Sequence, residues 1–159
     1  MSKRTRLFFR IILVLLCVVW QGFIFELSAE SSGGSAARSE GVSEMIVELF
    51  TGGKNMTDAE KEALAERIEP PLRTCAHMFC YFVLGALYFL LASTFFGKLV
   101  KCTLLSLMGV LIYAIADEVH QYFVPGRSMQ MADIIADLFG AAVAAALLCV
   151  AFYITRKRR

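Results

Sequence analysis

Nine polar residues of types that can do chemistry stand in the more apolar part of the chain: Arg73, His77, Asp117, Glu118, His120, Gln121, Arg127, Asp133 and Asp137. Asp117, His120 and Gln121 are spaced i, i+3 and i+4, which puts them on one face of a helix. Glu118 points about 100 degrees away from Asp117. Arg73 and His77 are one helical turn apart, as are Asp133 and Asp137. The chain has only 2 histidines, and both belong to this set.

An imidazole beside carboxylates titrates in the range a general base needs. Histidine and carboxylate together also suit a divalent cation, and arginines suit an anionic head group. The plainer alternative is polar glue, in which Asp133 and Asp137 pair with Arg73 and Arg127 while His77 hydrogen-bonds between helices. The Asp-x-x-His and Asp-x-x-x-Asp spacings do not choose among these. No serine or cysteine nucleophile motif accompanies them: Cys75 turns away from His77, and Cys80, which shares its face at i+3, belongs to no such motif. His77, Asp117, His120, Asp133 and Asp137 are therefore the catalytic candidates and all nine are ligand-binding candidates. Metal and cofactor stay open.

The elements that must hold these residues are membrane helices. The chain has 159 residues, of which 58% are hydrophobic and 19% charged, with a mean hydropathy of +0.63. Soluble domains carry about 25% charged residues. Four apolar runs, at residues 7–27, 73–96, 99–123 and 129–153, meet the roughly 20 residues a spanning helix requires. The basic start and a weak Ser28-Ala29-Glu30 cleavage pattern also fit a signal peptide. The length of the first run, with Trp20 and Phe23 inside it, points instead to a retained helix. Asp137 lies about two turns inside the fourth run, so it should face the bundle interior or a wet cavity. Gly140 and Ala144 continue its face at the small-xxx-small spacing of close helix packing. Val124-Pro125-Gly126 turns the chain, and Ser128 is expected to cap the fourth helix.

Residues 28–73 form a polar excursion with nine acidic and five basic residues. Ser31–Ser35 reads as a flexible linker. Val42, Met45, Ile46, Leu49 and Phe50 recur at helical spacing and predict a short amphipathic helix, followed by a turn at residues 51–54. Thr57 and Glu60 form a capping box that starts a second short helix, expected to end before Pro70-Pro71. Lys3, Arg4, Arg6, Lys98, Lys101 and Arg156–Arg159 fall at the opposite ends of the spans. By the positive-inside rule both termini are cytoplasmic and the excursion faces outward. Cys17, Cys75, Cys80, Cys102 and Cys149 contain no CxxC pair and read as small buried hydrophobes. A net charge of +2 with basic residues confined to helix ends argues against nucleic acid.

The expected fold is thus an all-α integral membrane bundle of four transmembrane helices with a short amphipathic extracellular collar. Residues 1–27 form the cytoplasmic tail and first span, 28–72 the extracellular linker with its amphipathic helices, and 73–159 a three-helix core with a polar outward cluster and a basic cytoplasmic tail.

Asp117-Glu118-Val119-His120-Gln121-Tyr122-Phe123-Val124-Pro125-Gly126-Arg127-Ser128, followed by Asp133, Asp137 and Gly140, resembles the signature of the VanZ-like family. That family is named after a teicoplanin-resistance accessory protein. Arg73, Ala76, His77, Tyr81, Leu84 and Gly85 are similar to its second-helix pattern, and Phe25, Ser28, Ala29, Ser32 and Ser39 resemble more loosely the stretch after its first helix. The family often has lysine where this chain has Thr74, and glutamate where it has Cys80. Without that glutamate the second helix offers no carboxylate to a site. The resemblance implies a multi-pass protein of the bacterial cytoplasmic membrane, acting at its outer face in envelope function and teicoplanin-type tolerance by a binding or accessory mechanism. The alternative is a membrane hydrolase or transferase modifying a lipid-linked envelope component at a His/Asp site. The partners so implied are the lipid bilayer and a lipid-linked wall precursor or lipoglycopeptide.

Overall fold

A computed structural model of the chain describes residues 2–52 and 57–157, without the side chains of Ser32, Ser35, Ala36 and Arg38. Gly53 and Lys54 of the expected turn and Arg158 and Arg159 of the basic tail lie outside the described residues. The described chain is all helical: α1 (Lys3–Ala29), α2 (Ser32–Thr51), α3 (Asp58–Ser93), α4 (Leu99–Tyr122) and α5 (Met131–Lys157). Four of them, α1, α3, α4 and α5, are long and apolar enough to cross a membrane. The chain is a multi-pass membrane protein, and the lipid-facing character shows in side chains such as Val19, Ile112, Ile135 and Leu147, all exposed at the bundle surface.

α3 is the spine. Its 36 residues span about 54 Å at 1.5 Å per residue, against about 30 Å of hydrocarbon. Its first turns therefore stand clear of the bilayer. The predicted capping box is present, with the Thr57 side chain taking the Glu60 N–H and Glu60 returning to the Thr57 N–H. The expected break at Pro70-Pro71 does not occur, and both prolines lie inside the helix. Each proline removes one helical N–H, leaving the Glu66 and Arg67 carbonyls without their usual donors at a level where water can supply them. α2 packs along this projecting part of α3, and Lys61 pairs with Glu48 at 2.9 Å. That pair supports the helix on the N-terminal side of the prolines. The Ser31–Ser35 stretch, expected to be a linker, is the capped start of α2.

α1 and α2 together run antiparallel to α3 along its length. Arg10 donates to the Thr94 carbonyl at 2.6 Å, Trp20 to the Cys80 carbonyl at 2.8 Å, and Lys61 meets Glu48 near the far end. α4 is joined to α3 by Ser106, which donates to the Gly85 carbonyl at 2.7 Å, and to α1 by Tyr113, which donates to the Gln21 carbonyl at 2.6 Å.

The most extensive helix contact is between α3 and α5. A Cβ on Gly85 would lie 2.8 Å from the Ala141 Cα, and one on Gly140 would strike the Met78 carbonyl oxygen. The two backbones touch because these positions carry no side chain. Gly140→Val is therefore expected to cost at least about 1–3 kcal/mol, the range for overpacking a filled interior. Thermal unfolding in detergent should show a lower midpoint for Gly140→Val. Gly22→Val, where nothing lies within 4 Å, should leave the midpoint unchanged, and equal effects at the two sites would refute the contact.

Candidate functional site

The polar residues gather at the end of the bundle where α1 and α4 finish and α5 begins. They form two groups rather than one cluster.

The first group joins α1, α4 and the α4–α5 turn. Val124, Pro125, Gly126 and Arg127 make a β-turn closed by the Arg127 N–H on the Val124 carbonyl at 3.1 Å. Pro125 sets the second position, and Gly126 takes the positive φ of 77° that the third position of a type II turn requires. The turn aims Arg127 back at the bundle. Arg127 donates to Gln121 Oε1 at 3.1 Å and to the Leu27 carbonyl at 3.3 Å, one of the unpaired carbonyls at the end of α1. Gln121 in turn donates to Asp117 Oδ2 at 3.2 Å, which also accepts from Ser28 at 2.9 Å. The Gln121 amide thus lies between a cation and a carboxylate, with each end of its dipole matched to its neighbour. Glu118, on another face of α4, accepts from the Gln130 N–H at 2.7 Å, just before α5, where a negative charge favours a helix start. Ser128 is not the cap: α5 begins three residues later, at Met131.

The second group joins α3 and α5. His77 Nδ1 lies 3.8 Å from Asp137 Oδ1, an ion-pair separation rather than a hydrogen bond. Asp137 is buried with that oxygen unbonded. The pairing of Asp133 and Asp137 with Arg73 and Arg127, one of the alternatives the sequence offered, is not formed among the described residues: Arg127 is directed to the neutral acceptors of the first group, and the charged neighbour of Asp137 is His77. His120 joins neither group. Its ring stacks on Phe25 of α1 at 4.4 Å between centroids, with Nε2 buried and unpartnered.

Between the groups lies a cavity of about 120 Å³ lined by residues of α1, α2 and α3 together with Arg127. Arg73, His77, Glu30 and Ser28 supply its polar wall, and Ile24, Leu27, Ala76, Cys80 and Tyr81 its apolar wall. A second cavity, of about 250 Å³, is bounded by Arg73, His77, Gln130, Asp133 and Glu69, so Arg73 and His77 form the ridge between the two. Burial, then the like charge of Arg73, push the Arg127 guanidinium below its ordinary pKa.

Sequence reasoning did not select Ser28, Gln130, Leu27 or Tyr81 as part of this region. Ser28 and Tyr81 were visible only as matches to a family pattern, and the Gln130 and Leu27 groups are backbone atoms that no residue type announces. Among the described residues no three His, Cys, Asp or Glu side chains assemble as a metal-ligand group. All five cysteines are free; Cys17 and Cys102 are buried as expected, whereas Cys75 is exposed. The arrangement offers anion recognition by the arginines and proton exchange at the His77–Asp137 pair.

Comparison with known proteins bears on the whole chain: the VanZ/LLP1 family model matches residues 11–153. No curated protein and no solved structure matches it.

The Arg127–Gln121–Asp117–Ser28 chain carries its own prediction. Gln121→Leu leaves Asp117 and Arg127 short of a partner in a buried setting, where one unsatisfied group costs about 1–3 kcal/mol. Tyr113→Phe removes one interhelical hydrogen bond, worth on average about 0.6 kcal/mol in a bilayer. Unfolding midpoints should therefore fall further for Gln121→Leu, and the reverse order would remove the chain's structural importance.

Proposed function

Because the chain belongs to the VanZ/LLP1 family, we propose that it acts at the outer face of a bacterial cytoplasmic membrane as a binding or accessory protein of the cell envelope, contributing to tolerance of teicoplanin-type glycopeptides. The orientation rests on charge. Arg4, Arg6, Lys98, Lys101 and Arg156 lie at one end of the spans, and basic residues stay cytoplasmic. Both termini are then inside, and the polar end with its cavities is outside.

The observation that carries a binding role is the cavity between α1 and α3, where Arg73, Arg127 and His77 stand beside an apolar wall of Ile24, Leu27, Ala76 and Tyr81. Convergent polar groups over an apolar lining suit the head and first chain segment of a lipid-linked envelope molecule. A lipoglycopeptide, or the lipid-linked wall precursor it competes for, is the corresponding partner.

A second reading draws on one separate observation. His77 sits 3.8 Å from the buried Asp137, a base-and-orienter arrangement that a hydrolase or transferase acting on a lipid-linked component can use. His77→Gln, which keeps the size and polarity, separates the two readings: an enzyme loses turnover, whereas a binding protein keeps most of its affinity.

The test is teicoplanin and vancomycin susceptibility in a Gram-positive host expressing wild type, His120→Gln and Asp137→Asn at matched membrane abundance. Wild type should raise the teicoplanin threshold by several dilution steps with little change for vancomycin, and Asp137→Asn should lose that protection. His120→Gln should retain most of it, since His120 is packed on Phe25 apart from both groups. Wild type without protection rejects the tolerance role in that host.

A further inference from the structure

The cavity between α1 and α3 holds two guanidinium groups with no direct carboxylate partner among the described residues, although Asp117, Glu30 and Glu118 attract Arg127 from farther off. Arg127 places its two terminal nitrogens on neutral acceptors, the Gln121 amide oxygen and the Leu27 carbonyl, and its buried Nε–H has no partner. Arg73 forms no hydrogen bond or ion pair with any described residue. The two arginines repel each other, and Glu30 is the one carboxylate in the described lining. Two guanidinium groups lining one cavity, neither of them ion-paired, are stabilised by an anion placed between them.

Size narrows the ligand. The cavity measures about 120 Å³, whereas drug-sized ligands occupy pockets of about 300–1,000 Å³. One water takes about 30 Å³ of liquid, so the space suits a group the size of a phosphate and not an intact glycopeptide. The wall below the arginines is apolar, built from Ile24 and Leu27 of α1 and Ala76, Cys80 and Tyr81 of α3. An acyl or polyprenyl chain attached to that phosphate can leave along the seam between α1 and α3.

We propose that Arg73 and Arg127 form a binding site for the terminal phosphate of a membrane lipid, with His77 and Ser28 beside it and the lipid chain lying along the α1–α3 seam. This rests on the outer-face binding reading above and assigns its ligand class: the cavity recognises the phosphate end of an envelope lipid rather than the antibiotic.

The chain carries its own reporter. It has 1 tryptophan, and Trp20 donates its indole N–H to the carbonyl of Cys80 at 2.8 Å, a residue of the cavity wall. The full chain, in nanodiscs of phosphatidylcholine, is titrated with short-chain phosphatidic acid, with phosphatidylcholine of the same chain length, and with inorganic phosphate, while Trp20 emission is recorded. Phosphatidic acid should produce a saturable change at a concentration at least about tenfold below the other two, a difference of 1.4 kcal/mol.

Arg73→Gln should weaken that response by about tenfold or more, again near 1.4 kcal/mol. It should do so without changing the unfolding midpoint, because Arg73 bonds to no described part of the protein. An Arg73→Gln response equal to wild type overturns the site. Equal responses to phosphatidic acid and phosphatidylcholine overturn recognition of a terminal phosphate, and an equally strong response to inorganic phosphate overturns the lipid as its source. Phosphatidic acid binding without glycopeptide protection supports this site and removes only the tolerance reading. Protection without phosphatidic acid binding overturns this site and leaves that reading intact.

Discussion

The backbone contact between α3 and α5 fixes the position of nearly everything else. Met78 lies against Gly140 and Gly85 against Ala141, two points that set both the separation and the register of the pair. Once Met78 meets Gly140, its neighbour His77 must come level with Asp137, one turn earlier on α5. With the two helices held this way, the side chains of His77 and Asp137 approach to 3.8 Å. A bilayer provides no hydrophobic drive for helices to associate, so close packing and a few hydrogen bonds must supply it. Small residues at the α3–α5 seam allow the first, and Ser106 on the Gly85 carbonyl supplies one of the second.

Buried charge is the opposing constraint. Asp117, Glu118 and Asp137 are all nearly inaccessible, and an isolated ionised carboxylate in such surroundings is costly. The fold answers differently at each. Asp117 receives Ser28 and Gln121 on one oxygen, and Glu118 receives a backbone N–H at the start of α5. Asp137 has only the neighbouring imidazole. The two better-satisfied carboxylates tie helices together, whereas the least satisfied one stands next to a cavity-lining residue. Incompletely bonded polar groups beside a cavity are more consistent with a function than with stability, since breaking one partner of a buried pair is expensive and replacing both by apolar residues is often not.

Much of this could be read from residue types. Apolar runs marked the four spans, Gly140 and Ala144 marked the close-packed face, and Thr57 with Glu60 marked the start of α3. Asp117 and Gln121 were placed on one face and do bond to each other. The failures share a cause: each local rule was overridden by a distant neighbour. Proline rules end a helix when nothing supports it, yet α3 continues through Pro70-Pro71 with α2 packed against it. The Ser31–Ser35 stretch looks flexible in isolation, but Ser31 caps α2 and α2 has α3 to pack on. Opposite charges on Arg127 and Asp137 suggested an ion pair, but the turn at Gly126 points Arg127 toward α1 and α4. His120 shares a helical turn with Asp117, and only the position of Phe25 on α1 reveals that its ring is held elsewhere.

The antiparallel course of α1 and α2 along α3 explains why a cavity exists at this level at all. α1 stays close to α3 through Trp20, and α2 returns to it through Val47, Thr51 and the Glu48–Lys61 pair. Between these contacts the chain changes from one helix to the next at Glu30–Ser31, where backbone direction need not follow α3. The gap opens there and is bordered by Ser28 and Glu30 on one side and Arg73 and His77 on the other. It also falls where α3 passes from the hydrocarbon toward the aqueous phase, a few residues inside Pro70-Pro71. An apolar wall and a cationic wall therefore meet at one place. That juxtaposition follows from the helix change and the length of α3 together, because a shorter α3 would leave α2 no surface to pack on and the gap no roof.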